Sequence, residues 1–221
     1  MAQYGLKVKK VKGRPSILRS PKHPKPKILT IFKESNMKIL GIISSANHNG
    51  KGAELTKTVC ETAKGDGAEV EYIYLYDLDF KSCGNCQISE HDPGFCTKQD
   101  GLVDVLKKLI ECDVFVWSAP IYMDYVCGTA QTFLDRFCIF VNPDFTINRI
   151  PGKKVVYIQT SGAPVEAYTD VQEKVCNNLS GFFKLDVVGK LAAGNMMAHD
   201  CELPVDLVTA AHEIGHKLMQ Q

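Results

Sequence analysis

The chain has 221 residues, 45% of them apolar and 23% charged, the balance of a globular protein with enough length for one α/β domain and a full core. No run approaches the roughly 20 consecutive apolar residues of a membrane helix, and no secretory signal pattern is visible. Nine cysteines, an odd number in a chain too long to need staples, point to a reducing cytoplasm and to thiols that are buried, reactive or metal-bound.

Residues 1–36 hold ten Lys or Arg and one acid, Glu34, a net of +9; with 26 basic and 25 acidic residues overall, 37–221 carries −8. Four of the ten prolines also lie in 1–36. The expected organisation is a basic N-terminal extension, 1–36, and one folded domain, 37–221. The extension reads as a solvated tail or an arm on a partner subunit; neither nucleic acid nor membrane is the expected partner.

The run M-K-I-L-G-I-I-S at 37–44 suits a fully buried parallel strand. After the turn S-S-A-N-H-N-G-K-G, residues 53–63 have helical spacing, with Leu55, Val59 and Ala63 on one face. Residues 69–75 read as a second strand, and 76–100 as a long irregular segment holding Cys83, Cys86 and Cys96. Helices follow at 101–111, 126–137, 169–183 and 205–219, and strands at 113–118, 153–160 and 186–192. Strands alternating with helices predict an α/β, doubly wound, five-stranded parallel sheet in the order 2-1-3-4-5. Ligands of such sheets sit at the carboxyl ends of the strands, which makes the loops 44–53, 118–125 and 160–167 the candidates.

The first loop opens a helix with small and glycine residues, so its N–H groups can turn toward an anion. Ser44, Ser45 and Asn47 add neutral donors and Lys51 a charge. It is neither a P-loop nor a G-x-G-x-x-G turn, which disfavours ATP and a Rossmann nicotinamide site; an ordinary polar βα turn is the competing reading. In the second loop, S-A-P-I-Y-M-D-Y, Pro120 stiffens the backbone and Tyr122 offers a flat ring for a planar heterocycle. The third, Q-T-S-G-A-P, can present Thr160, Ser161 and Gly162 to a ring edge.

Together these residues resemble the NADPH-dependent FMN reductase and iron–sulfur flavoprotein branch of the flavodoxin-like superfamily. Ser45-Ala46-Asn47-His48-Asn49-Gly50-Lys51-Gly52 stands where that group has S-x-R-x-x-G-N-T. Pro120-Ile121-Tyr122 matches its P-x-Y, and Phe133-Leu134-Asp135-Arg136 its F-[IL]-D-R. Asn47 replaces the usual Arg, Lys51-Gly52 replaces Asn-Thr, and Asp124 stands where Gly is common.

The resemblance implies FMN with its phosphate on Ser45, Asn47, Asn49, Gly50, Lys51, Gly52 and Ala53. The ring would pack along Ala119, Pro120, Ile121, Tyr122, Met123 and Asp124, with Thr160, Ser161 and Gly162 at its pyrimidine edge. The implied function is a cytoplasmic reductase that takes hydride from NAD(P)H and passes electrons to a flavin, quinone or other small acceptor. No side chain is required as an acid or base. An iron–sulfur flavoprotein-type electron carrier between protein partners is the alternative. A homodimer or homotetramer is expected from the resemblance and from the long segments 76–100 and 138–152.

Two motifs suggest metal. Cys83, Cys86 and Cys96 give C-x2-C-x9-C, which matches three positions of the iron–sulfur flavoprotein run C-x2-C-x2-C-x5-C; the remaining one is Ser89, a poor iron ligand. A cluster completed by water or Cys201, and zinc completed by His91, are the lesser readings, and a flavin-only protein with a remnant cysteine loop is expected. His212-Glu213-Ile214-Gly215-His216 fits H-E-x-x-H, but a downstream third ligand is missing before Gln221. The resembled group often ends in A-x-E-x-G-x-x-L, which Ala211 to Leu218 satisfies, so this segment is expected to be a surface helix without zinc.

Overall fold

Five of the six residues of the apolar run Lys38–Ile43 (β1) are buried, as a central parallel strand requires. The structure, a computed structural model, describes residues 36–84, 96–197 and 201–220. Helix Lys51–Gly65 (α1) follows β1 and strand Glu69–Tyr74 (β2) follows the helix. Then come Gly101–Glu111 (α2), Val114–Tyr122 (β3), Tyr125–Val126 (β4) and Gly128–Asp135 (α3). Lys154–Thr160 (β5), Thr169–Asn177 (α4), Asp186–Ala193 (β6) and Val205–Leu218 (α5) complete the chain.

The strands run β2-β1-β3-β5-β6, all parallel, with β4 paired antiparallel to β3. The expected order is kept; the fourth and fifth strands become β5 and β6 because a two-residue hairpin strand intervenes. That hairpin turns at Met123 and Asp124, whose φ of 49° and 64° lie in the left-handed region. Asp visits this region at modest cost and Gly at none, which explains why Gly is common at position 124 in the resembled group.

Alternation along the strands builds two cores, one on each face of the sheet. Leu40, Ile42, Phe115, Trp117, Val155 and Tyr157 face α2, α3 and α4. Ile39, Val114, Val116, Val156 and Ile158 face α1 and α5. Two helices end sooner than their periodicity suggests. The chain leaves α3 as a 3₁₀ turn, Arg136–Phe140, that buries 136, 137, 139 and 140. Positions three apart eclipse in such a turn, so two of its three rows face the core and Cys138 alone stays out. Helix α4 likewise gives way to a π-turn over Asn178–Phe182.

The H-E-x-x-H segment lies in α5, against α1. His212 Nδ1 and Thr62 Oγ1 are 2.7 Å apart, and His216 Nδ1 is 2.6 Å from Asp66 Oδ2. Both imidazoles therefore pin one helix to another. Among the described residues no helix is long and apolar enough to cross a membrane.

Candidate functional site

The three loops singled out in the sequence converge at the carboxyl end of the sheet. A Cβ placed on Gly52 would stand 3.4 Å from Ser118 Oγ and 3.7 Å from Thr160 Cγ2, so the start of α1 and the ends of β3 and β5 meet at one point. Around it opens a cleft of about 230 Å³, lined by residues of the 45–52 loop, 118–122, 160–162 and Met196-Met197.

The floor of the cleft is built from the first turn of α1. The first intrahelical bond runs from Glu54 N–H to Gly50 O at 3.0 Å, and no side chain caps the helix. The N–H groups of Lys51, Gly52 and Ala53 therefore precede the ladder and carry the positive end of the helix dipole. The loop before them is shaped by its own polar groups. Asn47 N–H donates to Ser45 Oγ at 3.1 Å, and Asn47 Oδ1 accepts from Asn49 N–H at 3.0 Å. Gly50 N–H closes the turn on Asn47 O at 3.0 Å, and a Cβ at Gly50 would stand 3.1 Å from that oxygen.

Ser118 is 2% exposed and its Oγ has no hydrogen-bond partner, although it lines the cleft. A buried hydroxyl left unpaired is costly, so this one is available to a ligand's polar atom. Ser44, by contrast, is used internally: its Oγ accepts from Trp117 Nε1 at 2.9 Å. Lys51 is also engaged. Its ammonium donates to Glu54 at 2.9 Å, a bond that raises its pKa against the opposing effect of burial, and Glu202 lies near enough to add to the rise. The cleft thus offers an anion mainly neutral N–H donors and one shared cation.

Of the expected site residues, Ser45, Asn47, Gly50, Lys51, Gly52, Pro120, Ile121, Tyr122, Thr160, Ser161 and Gly162 line the cleft. Ala53 and Ala119 do not: both side chains are fully buried. Asn49, Met123 and Asp124 also lie outside the lining. Asn49 spends its N–H on Asn47 Oδ1, and Met123-Asp124 form the tip of the hairpin, where the Asp124 carboxylate accepts from Tyr168 Oη at 3.0 Å. Ser161 faces the cleft with its donors spent, N–H on Ala193 O and Oγ on Ala163 O, both at 2.8 Å.

Ser118, Met196 and Met197 are absent from the expected set. Ser118 was legible as the last residue of a buried strand at a ligand-bearing end. Met196 and Met197 carry no local signal. They arrive from the far end of β6, and the Met197 thioether sits where a Cβ of Gly162 would stand.

A second constellation gathers at Arg136, which is 2% exposed. Asp100 grips its guanidinium from both oxygens, at 2.8 and 3.1 Å, Lys81 O accepts at 2.8 Å, and Cys96 Sγ lies 3.2 Å from Nη2. Cys83, Cys96 and Cys138 line one small cavity with Arg136 and Lys98. Cys86, Ser89 and His91 lie outside the described residues. The Arg136 of the F-L-D-R motif is therefore a structural clasp that closes the stem of the cysteine loop.

A model of the NADPH-dependent FMN reductase family matches residues 37–197. An iron–sulfur flavoprotein of Archaeoglobus fulgidus is 33% identical over 100 residues, 45% of this chain and 48% of its own length. The chain spans about half the length of the curated relatives it matches. Among solved structures, a flavone reductase superposes with a TM-score of 0.64 at 22% identity, covering 83% of this chain and 62% of its own. A putative quinone reductase from Klebsiella pneumoniae gives 0.64 at 17% identity, with 84% and 86% covered. At such identities these two likenesses speak to the fold alone.

Proposed function

The chain belongs to the NADPH-dependent FMN reductase family, and from that premise we propose that it is a flavin oxidoreductase that holds FMN in this cleft, accepts hydride from NAD(P)H and delivers electrons to a small acceptor, a flavin or a quinone. The observation that supports the placement is the meeting of Gly52, Ser118 and Thr160, where uncapped N–H groups and a buried hydroxyl without a partner gather at the wall of one cleft.

The residues present fit the group. Lys51, Gly52 and Ala53 N–H would take the phosphate, with Ser45 and Asn47 beside them. This seat works through oriented dipoles more than net charge, since Lys51 is shared with Glu54. Pro120, Ile121 and Tyr122 would bed the ring, and Tyr122, 58% exposed, leaves one face open to a second planar molecule. Met196 and Met197 would close the far wall with soft, adaptable contacts. FMN, when bound, supplies the hydride-accepting ring that no side chain can provide. The chain's own part is to bind, orient and exclude water.

Purified protein should be yellow, and anaerobic NADPH or NADH should bleach it without a protein partner. Colourless protein contradicts flavin binding. Yellow protein that resists both nucleotides points instead to a carrier between protein partners. Gly50→Val should lose most of the bound FMN, because its Cβ would stand 3.1 Å from Asn47 O before the two extra methyls are counted. Full FMN content in that variant would move the phosphate elsewhere.

We also infer a homodimer or homotetramer. Met123 and Met197 are 98% and 81% exposed beside the cleft, apolar surface that a neighbouring subunit would cover. Light scattering at micromolar protein should return at least twice the chain mass of 24.5 kDa; a monomer mass argues against it.

A further inference from the structure

The described thiols fall into groups by what surrounds them. Cys60, Cys112, Cys127 and Cys176 are buried, and burial pushes all four upward, Cys112 to about 12, which makes them inert. Cys96 is engaged by Arg136, and Cys201 Sγ lies 3.7 Å from Met196 Sδ. Cys83 and Cys138 differ from all of these. Cys83 is partly exposed, Cys138 is exposed, and the two line the same cavity, near enough that Cys83 helps to push the Cys138 thiol up.

We propose that Cys83 and Cys138 are a modification site, a reversible intramolecular disulfide formed by exchange with a low-molecular-weight disulfide such as oxidised glutathione. Three observations carry it. The partners come from separate segments that are already fixed relative to each other, because Arg136 on the 3₁₀ turn donates to both Lys81 O and Asp100. Little backbone movement is then needed to join residues two positions from Lys81 and from Arg136. The 3₁₀ turn leaves position 138 as its one outward row, so the thiol is reachable. The third is the cavity itself, which brings the two thiols to one wall with Arg136 and Lys98.

The order of steps follows from the surroundings. Burial, the adjacent Cys83 and Asp135 push the Cys138 thiol up, and a thiol so raised is slow to begin an exchange. The Cys83 thiolate attacks one sulfur of the glutathione disulfide, breaking its S–S bond and releasing one glutathione thiolate. Cys138, as thiolate, then attacks the Cys83 sulfur and expels the second glutathione. Two electrons pass from the protein to glutathione, and the two thiol protons finish on the two released glutathiones. The product ties the stem of the cysteine loop to the end of α3, across the same gap that the Arg136 clasp spans. Nothing in this depends on the identity of the cofactor.

The test is oxidation of the full chain with excess oxidised glutathione, followed by alkylation, digestion and mapping of linked peptides. Two of the nine thiols should be lost per chain, with the peptide holding Cys83 joined to the peptide holding Cys138. In Cys138→Ser the linked peptide should vanish and Cys83 should carry a trapped glutathione. A bond from Cys83 to Cys86 or to Cys96, nine free thiols after treatment, or an unchanged loss of two thiols in Cys138→Ser would overturn the proposal. The mapping of the unsubstituted chain decides the matter even if the variant folds poorly.

Discussion

Replacing Arg136 with methionine is expected to destabilise the fold by about 3–5 kcal/mol in chemical denaturation, the usual cost of breaking one side of a buried ion pair. Methionine fills much of the volume, so the loss is not chiefly a cavity. It comes from what is left behind. The Asp100 side chain is 15% exposed and holds Arg136 with both oxygens. Without the guanidinium its charge keeps the backbone N–H groups of Lys81, at 3.3 Å, and Leu102 but no cation, and Lys81 O loses its donor as well. Adding Asp100→Asn to Arg136→Met should return part of the loss, since a neutral amide is far cheaper to leave there than a carboxylate. If the single variant loses under about 1 kcal/mol, a surface-pair cost, the clasp is weaker than its geometry implies.

The clasp also sets an acid dependence. Burial pushes the Asp100 carboxyl up, but the Arg136 hydrogen bonds and the Lys81 N–H outweigh it, and the net shift is downward from 3.8. A carboxylate held below its unfolded value stabilises the fold fully above that value, near pH 4, and the contribution is lost as pH falls through the folded pKa. The native chain should therefore shed this stability only below about pH 4. In Arg136→Met only the Lys81 and Leu102 N–H groups are left to oppose desolvation, so the downward shift should shrink and the loss of stability below about pH 4 should be smaller than in the parent.

The sheet was legible because its strands are short apolar runs, and runs such as I-L-G-I-I or V-F-V-W admit few other readings between loops of small and polar residues. The hairpin at β4 was not, because Met123-Asp124 lacks the Asn-Gly or Asp-Gly signature that such a turn normally shows. The cleft was legible where neighbouring residues act together, as in 45–52, 120–122 and 160–162. It was not legible where only topology brings groups in, as with Met196 and Met197 from beyond β6. Nor was it legible that the side chains of Ala53 and Ala119, within these loops, are fully buried. The cysteine loop shows the same limit. Its spacing, C-x2-C-x9-C, is local, and the thiol that shares a cavity with Cys83 and Cys96 is Cys138, 55 positions after Cys83.

Gly215 is expected to tolerate no side chain larger than a methyl, with Gly215→Val costing about 3 kcal/mol or more, at or beyond the upper range for overpacking a core. The residue is buried on the face of α5 that meets α1, and a Cβ there would stand 2.6 Å from Val59 O and 2.6 Å from Thr62 Cβ. One of these atoms is backbone, so rotamer changes cannot clear the space; the helices themselves must separate. Separation would also stretch the bonds His212–Thr62 and His216–Asp66, which lie to either side. Gly215→Ala divides the opposing effects. Alanine gains about 1 kcal/mol over glycine in a helix interior, while the contact costs about 1–3 kcal/mol, so a net loss of up to about 2 kcal/mol is expected. Valine carries two further methyls and little of the helix gain, because its branching costs rotamer freedom against the preceding turn. Thermal or urea unfolding of both variants would read this directly. Should Gly215→Ala be more stable than the parent by the full helix gain, the close approach of α1 and α5 would not exist. The H-E-x-x-H spacing would then lose its packing reason, since it is this approach that sets His212 and His216 against Thr62 and Asp66.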